Sequence, residues 1–461
     1  MISPVRLLAD QAFSRAAGAP LLPGNQVRLL KDAAENYPAW LEAIRSAEHL
    51  VHFESYIIHD DDVGAEFAEC LAAQARKGVR VRLLYDWMGA LGKTSSRFWK
   101  RLRMAGVEVR CFNPPRFDSP FGWLSRDHRK TIVVDGRVGF VTGLCVGRMW
   151  AGQPERGIEP WRDTGVEVRG PAVADISDAF AEVWALAGAP IPEADLVRRD
   201  APGQAGDVSV RVVATTPGSA SLFRVDQLVA ALAQKALWLT DAYFVGTAAY
   251  VESLRAAARD GVDVRLLVPG PSDIPLLRPL SVAGYQPLLE AGVRVFEWNG
   301  PMLHAKTAVA DGRWARVGSS NLNVASWIGN HEMDVVVKDD GFGAAMERMY
   351  QDDLGRATEI ILGRSRSRST SAGGSAGRLA AGAIRIGNTV SAAATGRRIF
   401  APTEARVLAL SGFLLLGVVV LALLWPRVVV IPLMLVIGWV AVALLLRSNK
   451  LRRLRRPSAP S

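Results

Sequence analysis

The sequence predicts a duplicated α/β protein followed by a membrane-spanning helical hairpin. Three observations lead there: an eleven-residue pattern written twice, β-rich runs alternating with amphipathic helical stretches in each half, and two long apolar runs near the C-terminus.

The duplication is broad. DHRKTIVVDGR at 127–137 returns as LHAKTAVADGR at 303–313, and HFESYII at 52–58 returns as LTDAYFV at 239–245. ARKGVRVRLLYD at 75–86 is answered by ARDGVDVRLLVP at 258–269, and AGVEVRCFN at 105–113 by AGVRVFEWN at 291–299. Glu54 thereby pairs with Asp241 and Tyr56 with Tyr243. The copies stay about 180 residues apart, the period of a duplicated domain rather than of a solenoid repeat. Runs such as VRVRLLY and KTIVV alternate with helical stretches at 64–78 and 248–261, the pattern of a layered α/β fold.

Composition divides the chain further. A first half at 1–187 is followed by a connector at 188–207 rich in Pro, Gly and charge, then by a second half at 208–362 that ends in a helix near 341–361. A Gly/Ser/Arg-rich linker and basic segment occupy 363–403, two apolar helices 404–447 and a basic tail 448–461.

At 461 residues the chain has room for about two to three domains. Its formal net charge of +10 is unevenly spread: residues 361–461 hold fourteen Arg, one Lys and one Glu, a net of +14, which leaves the body at −4. A body built to hold nucleic acid would carry its own basic face, so this distribution argues against such a partner. Basic sequence beside apolar sequence suits an anionic membrane surface instead. Cys70, Cys111 and Cys145 fit no metal-ligand spacing and point to a reduced, cytosolic setting. The opening 25 residues contain no apolar run long enough for a signal peptide or membrane helix.

The runs 407–425 and 428–446 each hold nineteen uncharged residues and are separated only by Pro426 and Arg427. As helices each would rise about 28 Å, close to the roughly 30 Å hydrocarbon core of a bilayer. Arg397, Arg398 and Arg406 precede them and RSNKLRRLRR at 447–456 follows, so the positive-inside rule assigns both flanks, and the body, to the cytoplasm.

The repeated motif carries the chemistry. Alternate residues of a strand share a face, so His128 would be presented with Lys130 and His304 with Lys306, while Asp135-Gly136 and Asp311-Gly312 turn the chain at the strand ends. A neutral imidazole can attack phosphorus, and an ammonium can hold the phosphate oxygens whose charge rises in the transition state. A second imidazole can protonate the leaving oxygen and later deprotonate an incoming alcohol. This chemistry requires no metal or other cofactor, and the six histidines form no ligand cluster beyond these motifs.

His128, Lys130 and Asp135, with His304, Lys306 and Asp311, match the H-x-K-x4-D signature of the phospholipase D superfamily, and GSSNLNVASWIGNHE at 318–332 resembles that family's downstream Gly-Ser-Asn stretch and later Glu. The resemblance implies two mixed β-sheets flanked by helices with pseudo-twofold symmetry, and one active site at the junction of the halves. It also implies a covalent phosphohistidine and double displacement at a phosphodiester. His128 would be the nucleophile and His304 the general acid and base, or the reverse. Lys130 and Lys306 would hold phosphate, Ser319 and Asn321 would support it, and Asp135 and Asp311 would orient their surroundings. One departure is Cys145, which stands where the family commonly has an asparagine equivalent to Asn321 and reads as a small semi-polar filler. Asp163 stands where Glu332 stands in the second copy, and both carboxylates are expected to position the histidines.

From Gly24 to about residue 360 the chain further resembles bacterial cardiolipin synthases, in GNQVRLLKDAAENYPAWLEAIRSAEHLVHFESYIIHDDDVG, YDWMGALG and WRDTGVEVRGPAV. Those enzymes pass a phosphatidyl group to phosphatidylglycerol, giving cardiolipin and glycerol. The implied partners are phospholipids, phosphatidylglycerol first and phosphatidylethanolamine as another donor, and the implied location is the bacterial inner membrane with the body facing the cytoplasm. Many such synthases carry a hydrophobic pair at the N-terminus, so a chain with its pair at the C-terminus sits nearer the subgroup without leading helices. Two alternatives stand beside this reading: a phospholipase D that uses water or another alcohol, and a nucleic-acid-processing member that uses the basic tail. Trp123, Trp161 and Trp327 are candidates to line an acyl or headgroup channel.

Overall fold

The computed structural model describes residues 4–116, 124–199, 203–274 and 277–361, with isolated helical positions between 416 and 446. One compact unit, residues 1–114, 125–274 and 284–364, carries every described strand. The other takes in residues 115–124, 275–283 and 365–461 and is described only in short pieces, chiefly the start of the helix Leu277–Glu290.

The first half supplies β1 (Leu22–Lys31), β2 (Leu50–Ser55), β3 (Arg80–Asp86), β4 (Glu108–Phe112), β5 (Lys130–Val134), β6 (Val138–Thr142) and β7 (Thr164–Arg169). The second supplies β8 (Val208–Thr215), β9 (Ala236–Thr240), β10 (Asp263–Pro269), β11 (Arg294–Trp298), β12 (Thr307–Ala310), β13 (Trp314–Gly318), β14 (Glu332–Lys338) and β15 (Ala357–Ile360). They form one sheet in the order β15-β11-β10-β9-β12-β13-β14-β8-β1-β7-β6-β5-β2-β3-β4. Outward from the central β8–β1 pair, each half repeats the same succession, with β15 added at one edge.

The expectation of two separate mixed sheets is thus corrected to a single pseudo-symmetric sheet. The physical reason is the seam: β1 and β8 pair antiparallel, Leu22 opposite Val210 and Asn25 opposite Val208, with a register shift between. Each strand would otherwise be an unpaired edge, with backbone donors and acceptors left to water or to another chain. Asn25 Nδ2 braces the irregular step by donating to Leu22 O at 2.7 Å and Val208 O at 3.3 Å.

Inside each half the pattern is mixed. β2, β3 and β4 run parallel, as do β9, β10 and β11, whereas β5, β6 and β7 and their counterparts pair antiparallel. KTIVV and VGFVT are buried at every position because helices or strands cover both faces. The helices Asp32–Arg45, Asp62–Arg76 and Ser96–Met104 bury Trp40, Phe67 and Phe98 against the first half, and Ser221–Leu232 and Ala248–Arg259 bury Val225 and Leu254 against the second.

A third apolar cluster joins the halves. Val133, Val141, Val166 and Val168 meet Val212, Val309, Val317 and Val335, sealed by the helices Ala172–Leu186 and Asp340–Leu354. Each fully buried side chain of this kind contributes about 1.5–3 kcal/mol, so the junction is core rather than hinge. Both helices also bridge the seam: Ala172–Leu186 packs on β5, β6 and β7 of its own half and on β8, and Asp340–Leu354 on β12, β13 and β14 of its own half and on β1.

The expected C-terminal membrane hairpin is also corrected. No helix among the described residues is long and apolar enough to cross a membrane. A span requires an unbroken helix of about 20 residues so that its backbone groups are satisfied internally. Most of 404–447 lies outside the described residues, as do most of the linker at 363–403 and the tail at 448–461.

Asp135 and Asp311 fall at the far end of the motif strands, about 17 Å along β5 from Lys130 at roughly 3.3 Å per residue. Asp135 and Gly136 have φ of 51° and 65°, and Asp311 and Gly312 of 52° and 65°, the left-handed pair that a tight hairpin demands and that Asp-Gly tolerates. The Asp135 carboxylate accepts from the backbone N–H groups of Glu48, His49 and Leu50, and Asp311 from those of Gln234, Lys235 and Ala236. Replacing either aspartate by alanine is expected to lower stability by about 1–2 kcal/mol, read by chemical denaturation, with the remaining folded enzyme keeping its kinetic constants.

Candidate active site

The histidines precede their strands: His128 lies two residues before β5, and His304 three before β12. Backbone pairing holds them there. His128 N–H donates to His331 O at 2.9 Å and His331 N–H to Arg126 O at 2.8 Å; His304 N–H donates to Arg162 O at 2.7 Å and Arg162 N–H to Met302 O at 3.0 Å. The chain entering each motif strand is therefore fastened to the chain entering β7 or β14 of the other half.

The side chains cross in the same way. His128 Nδ1 lies 2.9 and 3.0 Å from the two Glu332 carboxylate oxygens, and His304 Nδ1 lies 2.7 Å from Asp163 Oδ2. A carboxylate accepts only, so each Nδ1 carries the proton and each Nε2 is left with its lone pair. Both carboxylates expected from the sequence reach a histidine, each one belonging to the opposite half.

Lys130 and Lys306 are buried, and each Nζ donates to the carbonyl of its own motif's histidine. Each ammonium also lies over a tyrosine ring, Lys130 5.3 Å from Tyr56 and Lys306 5.8 Å from Tyr243. The same rings stand edge-on to the imidazoles, at 4.9 Å for Tyr56–His128 and 5.9 Å for Tyr243–His304. The repeat had paired Tyr56 with Tyr243 without assigning them to the site; their recurrence after a matched acid was the available signal.

Electrostatics ties the two motifs into one site. Burial pushes His304 down to about 4, helped by Lys306 and Lys130 and opposed by Asp163. Burial also lowers His128, with Glu332 opposing and both lysines adding to the fall. Lys306 drops to about 8, chiefly through burial, with Asp163 opposing and Lys130 contributing. For Asp163 and Glu332 burial works upward but is outweighed, by His304 and Lys306 in one case and His128 and Lys130 in the other, so both carboxyls sit below their usual range. Near neutral pH the result is two neutral imidazoles on two carboxylates, with Lys306 still charged: a pocket prepared for an anion.

The two sides differ in detail. Ser319 Oγ donates to Glu332 at 2.5 Å, whereas Gly143, at the corresponding place, leaves room that Asp163 fills; an added Cβ would lie 2.2 Å from Asp163 Oδ1. Asn321 is only 4% exposed and its Oδ1 has no hydrogen-bond partner among the described residues. At the matching position Cys145 is buried, its thiol pushed up by burial while Lys130 and Lys306 pull it down.

The tryptophans divide. Trp161 reaches the site, 5.7 Å from the His304 ring, and Trp150, which sequence reasoning had passed over, lies 5.8 Å from it. Trp327 belongs to the core of the second half, against Phe223 and Tyr250, and Trp123 lies outside the described residues. Among the described residues no group of three or more His, Cys, Asp and Glu side chains is disposed to hold a metal ion.

A duplicated sheet that brings two such His-Lys pairs together is the architecture of the phospholipase D superfamily. A family model described as cardiolipin synthase, PLD-like domain, matches residues 40–148 and 229–354. Cardiolipin synthase A of Pseudomonas fluorescens is 36% identical over 366 residues, covering 77% of this chain and 74% of the relative. Cardiolipin synthase A of Pseudomonas aeruginosa is 36% identical over 356 residues, covering 76% and 71%. A solved phosphatidylserine synthase from Haemophilus influenzae Rd KW20 superposes with a TM-score of 0.60 over 76% of this chain and 92% of that one; at 16% identity the likeness speaks for the fold. The chain belongs to the cardiolipin synthase family of the phospholipase D superfamily, and it is an enzyme, a phosphatidyltransferase.

Two kinetic outcomes follow from this geometry. Lys306 loses its charge above about pH 8, so kcat/KM for an anionic phosphodiester should fall through an alkaline limb near that pH. Lys306→Arg, which stays charged, should move the limb upward while lowering the maximal rate about tenfold, because a planar fork replaces a point charge. Gly143→Ala should displace Asp163 and reduce kcat by about 10- to 100-fold in steady-state assays, with thermal unfolding checking that the variant is folded.

Proposed function

We propose that this enzyme joins two phosphatidylglycerol molecules into cardiolipin, releasing glycerol, through a phosphohistidine intermediate. The observation that carries the reading is the pair of imidazoles, each tied through Nδ1 to a carboxylate and each with a free Nε2, beside two buried lysines.

In the first step one Nε2, assigned to His128, bonds to phosphorus as the bond to the glycerol headgroup oxygen breaks. His304 gives its proton to that oxygen, and glycerol leaves. The free imidazole is neutral, but an anionic phosphodiester beside it raises its basicity, so His304 takes a proton from solvent at Nε2 as the substrate binds. In the second step His304 takes the proton of a terminal hydroxyl on another phosphatidylglycerol. That oxygen bonds to phosphorus, the phosphorus–nitrogen bond breaks, and His128 is restored. Lys130, Lys306 and Asn321 hold the non-bridging oxygens where negative charge grows.

Water must be kept from the intermediate for transfer to prevail. Trp150 and Trp161, both against His304, are suited to that exclusion. Lipid substrates assign the reaction to a membrane surface, read here as the cytoplasmic side of the bacterial inner membrane. The +14 of residues 361–461 supports attraction to anionic lipid.

Mass spectrometry of products formed by the detergent-purified protein from phosphatidylglycerol alone should find cardiolipin and glycerol. His128→Ala and His304→Ala should each lower the rate by about 1,000-fold or more. Phosphatidic acid in place of cardiolipin would make the enzyme a hydrolase. Product that appears only when phosphatidylethanolamine is added would change the donor. No turnover of any phospholipid would overturn the reading.

A further inference from the structure

We propose that Arg162 is a positioning residue for phosphoryl transfer, locking His304 and Asp163 together across the two halves. The inference rests on the reading of His304 as one of the two reacting imidazoles.

Arg162 touches both members of the pair. Its carbonyl accepts the His304 N–H at 2.7 Å, and its Nη1 donates to the Asp163 carbonyl. The same Nη1 donates to Thr164 Oγ1 at 3.0 Å and to Asp32 Oδ1 at 3.1 Å. Asp32 closes the ring: its Oδ1 accepts Asp163 N–H at 2.8 Å and its own N–H donates to Asp163 O at 2.9 Å. Asp32 is held at a φ of 54° while it does so, a conformation that non-glycine residues adopt only where surrounding contacts enforce it.

The guanidinium is anchored from the second half. Asp353, in the last turn of Asp340–Leu354, receives Nε at 2.9 Å on Oδ1 and Nη2 at 2.8 Å on Oδ2, the two-pronged geometry that only arginine offers. Arg162 and Asp353 are each about 3% exposed, so the fork cannot be exchanged for water. The side chain therefore ties β7, the start of the helix Asp32–Arg45 and the last turn of Asp340–Leu354 together, while the backbone carbonyl of the same residue holds the entry to β12.

The other histidine pair is built differently, which explains why this one needs such a residue. Glu332 is held directly by Ser319 Oγ and receives Asn330 Nδ2 at 3.4 Å. Asp163 has Gly143 where a serine stands in the second half, and among the described residues its carboxylate receives, besides His304, only the Thr164 N–H, at 2.8 Å. Its aim must come from the backbone, and Arg162 with Asp32 supplies that constraint. The residue in the place of Arg162 is His331, whose Nδ1 has no hydrogen-bond partner among the described residues.

A purely structural ion pair and a positioning residue differ in what they do to His304. The charged groups facing that imidazole are Lys306, Lys130 and Asp163, and of these only Asp163 favours its protonated form. If Asp163 drifts, the imidazole loses that support and its ionisation in the pH–rate profile moves to lower pH, whichever of the two histidine roles it plays.

The experiment compares Arg162→Lys, Arg162→Gln and Asp353→Asn in the full-length, detergent-purified protein turning over phosphatidylglycerol, beside wild type and His304→Ala. Per folded molecule, counted by circular dichroism, Arg162→Lys and Asp353→Asn should lose about 10- to 100-fold in kcat with KM little changed. The His304 limb should shift down by roughly half a pH unit or more, a loss of support worth a few-fold in the protonation constant. Arg162→Lys should retain more activity than Arg162→Gln. Should the arginine variants fail to fold, Asp353→Asn, which keeps the packed shape, carries the comparison alone. Wild-type kcat and pH profile in the folded fraction, with only a lowered melting temperature, would overturn the proposal. Full activity in His304→Ala would instead remove the reading on which it rests.

Discussion

Each motif imidazole in this protein is oriented by a carboxylate from the other half, and the remaining architecture serves that exchange. His128 reaches Glu332 and His304 reaches Asp163 only because β1 pairs with β8 and the segments leading into β5 and β12 pair with those leading into β14 and β7. The carboxylates are fully buried, and each would be costly there alone: an unpaired charge of this kind destabilises a protein by about 3–5 kcal/mol. Crossed pairing thus binds the site to the integrity of the junction. The helices that bridge that junction and the valine cluster beneath it make the seam part of the core.

The same burial sets the chemistry. Removing Lys306, His128 and His304 from water disfavours positive charge in them, and the neighbouring ammonium groups disfavour it further in the imidazoles. An empty pocket is therefore short of negative charge, and a phosphodiester supplies it. In the reaction proposed above, substrate binding and the protonation of one imidazole coincide, so the acid is generated where it is used. The environment is not symmetrical: His304 is flanked by Trp150, Trp161 and Tyr243, while His128 meets Tyr56, and the first half has Cys145 at the position matching Asn321.

Much of this was legible in the chain. The doubled His-x-Lys pattern pointed to two histidines and two lysines that the structure brings together, because groups placed at the start of short buried strands leave a compact signature. Asp163 and Glu332 were legible as a matched pair, but not their exchange, since each follows its own half's motif and only the three-dimensional seam brings it to the other. The fully apolar strands predicted α/β layering correctly. The joining strand, LPGNQVRLLK, contains Pro23 and Gly24, and nothing in it announced a continuous sheet. The helix expected near 341–361 ends at Leu354, and ATEI, a single turn further on, forms β15 instead. Apolar length alone suggested a membrane hairpin that the described helices do not form. Arg162 was visible only as part of a resembling segment, because its partners lie 130 and 191 residues away.

Fusion of the two halves into one polypeptide has an evolutionary corollary. In a symmetric dimer of identical subunits every substitution is made twice, so both histidines must share one environment and neither can specialise. Here the copies are covalently distinct, and drift has been free to act on one side at a time: glycine against serine at 143 and 319, cysteine against asparagine at 145 and 321, arginine against histidine at 162 and 331. Two imidazoles that began as equivalents can thus diverge into a nucleophile and a proton carrier, a division of labour that a strict homodimer could reach only by breaking its own symmetry.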